Sequence, residues 1–261
     1  LSLFYNILHI NIIYYNLSNS TLFLVREHSM KSLRIVTVGG CHVAGYGVDS
    51  EQSFPVLLAK LLDGEVVGQT AHARFVDLPY HLEPLLTQQP SHVVMQVGNY
   101  EFSASWYRLL RQLKLKRWAK RPPEEQPSAA LGHRQTVSLA TYSQIAVMSL
   151  LMTALWLFSA PHRRSFQILK RCMQQHPATT FIFLSPFPDL NPGDDMLRRF
   201  GGWLLRHRLS RRPNLHWVDS HQLLRTDAQL YVDSSHLNPQ GHRALSYGLA
   251  ACVLRNTVLA T

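Results

Sequence analysis

The sequence predicts an α/β protein of three layers, α/β/α, with helices on both faces of a parallel five-stranded sheet. Three observations carry that expectation. Short apolar runs rich in β-branched residues recur along the chain, each too short for a helix. Longer helical stretches alternate with them. The segments with unusual chemistry fall at the ends of the runs or in the terminal turn, and sheets of this kind place their sites beyond the carboxyl ends of the strands.

In chain order, the first run is "RIVTVG" at 34–39, followed by the helical "SFPVLLAKLLD" at 53–63. A weaker run, "EVVG" at 65–68, precedes a helical region over 72–89. The third strand is "HVVMQVG" at 92–98, the fourth "TFIFLS" at 180–185 and the fifth "NLHWVD" at 214–219. Helices are expected at "RRSFQILKRCMQQH" before the fourth strand, at "GDDMLRRFGGWLLRHRL" after it, and at "GHRALSYGLAACVLRN" near the end. No internal repeat is visible.

At 261 residues and 46% hydrophobic content, the chain has the length and composition for a sizeable core. Its formal charge of +10 favours acidic partners without bearing on the fold. The three cysteines, Cys41, Cys172 and Cys252, are far apart and offer neither a disulfide framework nor a CxxC metal pair. A thiol-reducing, cytoplasmic setting is therefore expected, with peripheral membrane association left open. Residues 1–29 differ from the rest, being rich in Asn, Ile, Tyr and Leu with no Lys or Arg before Arg26. They lack the basic start and small-residue cleavage site of a secretory signal. The expectation is an N-terminal extension that is non-native or disordered, with one domain over 30–261 beginning at Met30; an anchor helix is the alternative.

One region breaks the alternation. A helical insertion is expected over 103–165, because about 65 residues separate the third strand from the next helix, too many for a plain crossover. Its stretch 108–121 holds seven Lys or Arg and no acid, which suits a surface helix on anionic lipid or polymer, or a solvated cap. Thr136 to Pro161 contains no charged residue, yet its strongly apolar part, "IAVMSLLMTALWLF", has only 14 residues. That is short for a membrane span. A helix packed on the domain, or a lid over the site, is expected.

Three segments carry candidate chemistry: "GGCHVAGYG" at 39–47, "VGNYE" at 97–101 and "VDSSHLNPQGH" at 232–242. Each alone has a bland reading, as core packing, turn chemistry or a helix cap. Together and in this order they resemble the SGNH (GDSL-type) hydrolase family. The first resembles its GDS block with Cys41 at the serine position, the second its GxND block with Asn99 at the asparagine, and the third its DxxH block with Asp233 and His236. The resemblance implies a flavodoxin-like sheet, no cofactor and a catalytic set of Cys41, His236 and Asp233. It further implies an oxyanion hole from the amides of Cys41 and Gly68 and the Asn99 side chain, with Gly68 the best match to a poorly marked second block. The departures are Cys41 for serine, Gly40 for the aspartate before it, Val97 for glycine and Tyr100 for aspartate.

A thiol flanked by imidazole at a helix N-terminus can ionise near neutral pH, so the substitution is compatible with nucleophilic catalysis. The expected reaction is hydrolysis of a short carboxylic ester, including a glycan O-acetyl group, through a thioester acyl-enzyme. The alternatives are an inactive carbohydrate- or acyl-binding relative and an acyltransferase. His42 reads as a supporting or exposed residue. A metal site from Cys41, His42, His236 and His72 would lack clustered ligand spacing. The basic stretches come with no nucleic-acid recognition module. The expected partner is a small-molecule or glycan ester.

Overall fold

The computed structural model describes residues 32–103, 139–209, 212–224 and 227–259. Contacts divide the chain into Leu1–Ser32 and Leu33–Thr261. The expected extension at 1–29 and the basic stretch at 108–121 lie outside the described residues.

Five parallel strands form the sheet: β1 (Arg34–Gly39), β2 (Glu65–Thr70), β3 (His92–Gln96), β4 (Thr180–Leu184) and β5 (Leu215–Val218). Their order is β2-β1-β3-β4-β5. The helices are α1 (Phe54–Leu61), α2 (Leu78–Leu86), α3 (Leu139–Phe158), α4 (Ala160–Gln175), α5 (Pro192–Leu209), α6 (Ser220–Leu224) and α7 (Pro239–Leu259). The α/β/α architecture and the insertion after β3 are as the sequence predicts. Boundaries differ slightly: β2 runs on to Thr70, β3 stops at Gln96, and α4 starts at Ala160, inside the expected end of the insertion.

Alternation along each strand divides the core in two. Val36, Val38, Val93, Met95, Phe181 and Phe183 face α2, α3, α4 and α5. Ile35, Val94, Ile182, Leu184 and Val218 face α1, α6 and α7. Strands covered on both faces need apolar residues at successive positions, and β1 accordingly reads as a nearly unbroken buried run. Each large side chain so buried contributes about 1.5–3 kcal/mol before chain entropy is counted. α3 packs on α4 and α5.

The topology also locates a crevice. The chain leaves β1 for β2 on one side and later returns to β3 on the other, so the loops beyond β1 and β3 diverge. Ligands of doubly wound sheets bind at this switch point. Gly39 ends β1 there, and a Cβ on it would collide with the Gln96 carbonyl of β3. Only glycine lets the two strand ends approach this closely.

Candidate active site

Cys41 lies in the turn just past β1 and is only partly buried. The preceding Gly40 amide is tied to β3, donating to the Gln96 carbonyl (3.0 Å) and, more loosely, to Gln96 Oε1 (3.3 Å). The Cys41 amide has no hydrogen-bond acceptor among the described residues, so it is free to serve a ligand.

The loop past β3 brings Asn99 alongside. Its Oδ1 accepts from Gln96 Nε2 (3.0 Å) and from the Phe187 amide (2.8 Å). Because a backbone N–H can only donate, these bonds fix which end of the Asn99 amide is oxygen. Its Nδ2 is thereby aimed at His42 Nδ1, 3.4 Å away. Gly98, with φ +107°, makes the turn that presents Asn99, and a Cβ there would press on Pro186 Cγ at 2.6 Å. Beneath it, the buried Glu101 accepts from the Gly98 and Phe75 amides (3.1 and 2.6 Å). Burial pushes the Glu101 carboxyl up in pKa, and these amides pull against that shift.

The third segment is a tight turn ahead of α7. Asp233 Oδ1 accepts from the Ser235 and His236 amides (2.8 and 2.7 Å), while Oδ2 accepts from His236 Nδ1 (2.7 Å). One carboxylate therefore shapes the turn and orients the ring, leaving Nε2 of His236 for chemistry. The Tyr46 ring lies over it, 4.2 Å between centroids. His42 links all three segments. It is 1% exposed, its Nε2 donates to the Ser235 carbonyl (3.0 Å), and its Nδ1 lies 3.7 Å from Cys41 Sγ. Its ring stacks on His236 at 5.5 Å. Since Asn99 donates to Nδ1, that nitrogen is an acceptor.

The thiol and His236 make no hydrogen bond of ordinary geometry, but they are near enough to shift one another's titration. Such contacts are often long in unliganded sites. Burial alone would raise the Cys41 pKa. Contact with His236 leads the interactions that outweigh burial and bring the thiol down to about 5. Of the two rings we assign His236 as the thiolate's donor, because Asn99 occupies His42 Nδ1 as an acceptor. Burial lowers His236, but Asp233 and then Cys41 raise it to about 9. Burial raises Asp233, yet the His236 ring and the turn amides hold it at about 2. The arrangement favours thiolate and imidazolium together between those limits. Iodoacetamide alkylation of Cys41 is therefore expected to rise with pH around 5. An ordinary thiol would show its midpoint near 8.5.

Of the sequence-predicted residues, Cys41, Asn99, Asp233 and His236 come together at the crevice. Gly68 does not. It pairs with Val36 inside β2, three positions before the level of Gly39, and its open side is filled by Leu85. At about 3.3 Å per residue it lies roughly 10 Å short of the level of Gly39. The loop level with Gly39 is Ala71–Ala73, where the Ala73 amide donates to the Gly39 carbonyl (2.8 Å). His72 sits in that loop with φ +59°. Among the described residues, no group of three His, Cys, Asp or Glu has the arrangement to hold a metal ion. Sequence reasoning missed Gln96 and Glu101 and undervalued His42. The signal for Gln96 was a polar residue closing an otherwise apolar strand.

Over most of its length the chain is similar in structure to solved esterases and lipases. Phospholipase A1 from Streptomyces albidoflavus superposes with a TM-score of 0.54 at 15% identity, over 85% of this chain and 99% of that one. A Clostridium thermocellum family 3 carbohydrate esterase gives 0.51 at 11% identity, over 87% and 99%. At such identities the likeness is one of fold. No protein-family model and no curated protein matches the sequence.

Proposed function

We propose that the protein is a carboxylic ester hydrolase in which Cys41 is the nucleophile, His236 carries the proton and Asp233 orients His236. The observation supporting this reading is the meeting of the β1, β3 and pre-α7 turns around one partly exposed thiol. The similar fold of known esterases and lipases agrees with it.

In the first step, Cys41 Sγ attacks the acyl carbon and the carbonyl electron pair moves onto oxygen. The Cys41 amide and Asn99 Nδ2 donate to that oxyanion. Collapse breaks the ester C–O bond, and the departing alkoxide takes the proton from His236 Nε2. The product is a Cys41 thioester. His236 then removes a proton from water, the hydroxide attacks the thioester, and Cys41 leaves as thiolate. His42 holds the Asn99 amide in place through Nδ1 while its Nε2 anchors the turn bearing His236.

The substrate class is a short acyl ester, with a glycan O-acetyl group as the favoured member. The half-exposed Tyr46 ring beside His236 offers a flat wall for the alcohol part, and the carbohydrate esterase above shares the fold. The deciding experiment is hydrolysis of 4-nitrophenyl acetate by the parent and by Cys41→Ala. Turnover by the parent alone, with a hydroxylamine-labile acetyl group on Cys41 in the intact mass, is expected. Equal turnover by both, or none by either, overturns the reading.

Two further outcomes belong to this mechanism. Asn99→Ala removes one oxyanion donor and is expected to cut kcat by about 10²–10³-fold, with folding checked by circular dichroism. The pH profile of kcat/KM is expected to rise through about 5, where the thiolate forms, and to fall through about 9, where His236 loses the proton needed by the leaving group. A single rise near 8.5, the ordinary thiol value, contradicts the ion pair.

A further inference from the structure

Helix α3 is apolar on two opposite faces. Ile145, Met148, Met152 and Trp156 are buried in the core beside the sheet. The other face presents Leu139, Val147, Leu150, Ala154 and Phe158, the last four spaced by threes and fours along one stripe. Leu139 is 85%, Leu150 72% and Phe158 74% exposed. No Lys, Arg, Asp or Glu occurs between Thr136 and Pro161, so nothing charged interrupts a face about 30 Å long. Contiguous exposed apolar surface of this extent marks an interaction site.

Charge at one end of the stripe indicates what covers it. After Phe158 the chain bends by 61° into α4. The first turns of α4 carry Arg163 and Arg164, which with Arg171 line a groove of about 700 Å³ against α2. Glu83 is the single acid among its lining residues. An uncharged stripe running into an arginine-lined groove matches the boundary between acyl chains and anionic headgroups. A polyanion in solution would leave the stripe wet, whereas a lipid bilayer covers the stripe and meets the arginines together. No single described helix is long and apolar enough to cross a membrane.

We propose that the α3–α4 elbow docks on an anionic lipid bilayer, with the outer face of α3 lying flat at the acyl–headgroup boundary and Arg163, Arg164 and Arg171 against lipid phosphates. The proposal rests on described residues alone and does not depend on the hydrolase reading. The test is co-sedimentation of the full chain with vesicles of phosphatidylcholine alone or mixed with phosphatidylglycerol. Binding is expected to be about tenfold or more stronger on the mixed vesicles and to weaken as salt is added. A Leu150→Glu/Phe158→Glu variant is expected to lose binding to both vesicles, and Arg163→Glu/Arg164→Glu to lose the preference for phosphatidylglycerol. These positions are exposed, so circular dichroism should be unchanged. No vesicle binding, equal binding to both vesicles, or a dimer in sedimentation velocity that Leu150→Glu dissolves would each overturn the proposal.

Discussion

His236→Ala is expected to lower ester turnover on the order of 10⁴-fold, because it removes both the thiolate's partner and the acid that protonates the leaving alkoxide. The same change acts on the thiol itself. Burial pushes the Cys41 pKa upward, and His236 leads the contacts that reverse the shift. Without the ring, the leading contact that lowers the thiol is gone, and its pKa rises toward the ordinary range. Iodoacetamide alkylation at pH 6.5 should then fall, by up to about 10²-fold, since a thiol titrating near 8.5 is only about 1% ionised there. Asp233→Asn should retain the ring but lose its orientation and its charge, with a large fall in kcat. Its alkylation rate should lie between those of the parent and His236→Ala. Unchanged alkylation in His236→Ala would show that the ion pair does not exist, whatever the effect on turnover.

The second large effect concerns stability. Asp189→Ala is expected to cost about 3–5 kcal/mol, because it strands a buried guanidinium. Arg198 Nη2 meets Asp189 Oδ2 at 2.8 Å with both side chains buried. Arg198 Nη1 donates to the Phe187 and Pro188 carbonyls (3.2 Å each), and Asp189 Oδ1 accepts from the Asn191 amide (2.8 Å). The loop held this way carries the Phe187 amide that fixes Asn99, and the Phe187 ring packs edge-on to His42 at 4.6 Å. For a domain of this size the loss corresponds to a fall in Tm of roughly 6–20 °C. Asp189→Ala/Arg198→Met should recover much of it, since no unpaired charge is left inside. Thermal unfolding of the three proteins decides the matter, and a single variant as stable as the parent refutes the account.

The strands were legible because a sheet covered on both faces demands unbroken apolar runs, and "RIVTVG", "HVVMQ" and "TFIFL" satisfy that locally. Helix α3 was legible as a helix that packs on the domain. Its exposed second face was not, since an apolar residue carries no mark of whether it meets core or solvent. Gly68 misled for a related reason. A glycine at an apparent strand end looks like a turn, but β2 extends two residues farther to Thr70 and places it opposite Val36. His42 looked peripheral because its importance lies in bonds to Ser235 and Asn99, far off in sequence.

By itself, then, the sequence determined the α/β alternation, the insertion after the third strand, and the Asp233–His236 pair. The first two follow from periodicity and segment length, and the pair from the resemblance of the last block to a DxxH motif. The tertiary structure decided which loops face one another. Strand order set β1 beside β3, and with them Gly40 against Gln96 and Asn99 against His42. Cys41 and His236 belong to separate turns with most of the chain between them, and their proximity depends on sheet register and on how α7 packs. Local chemistry does not encode a distance of that kind; the packing of the two cores imposes it.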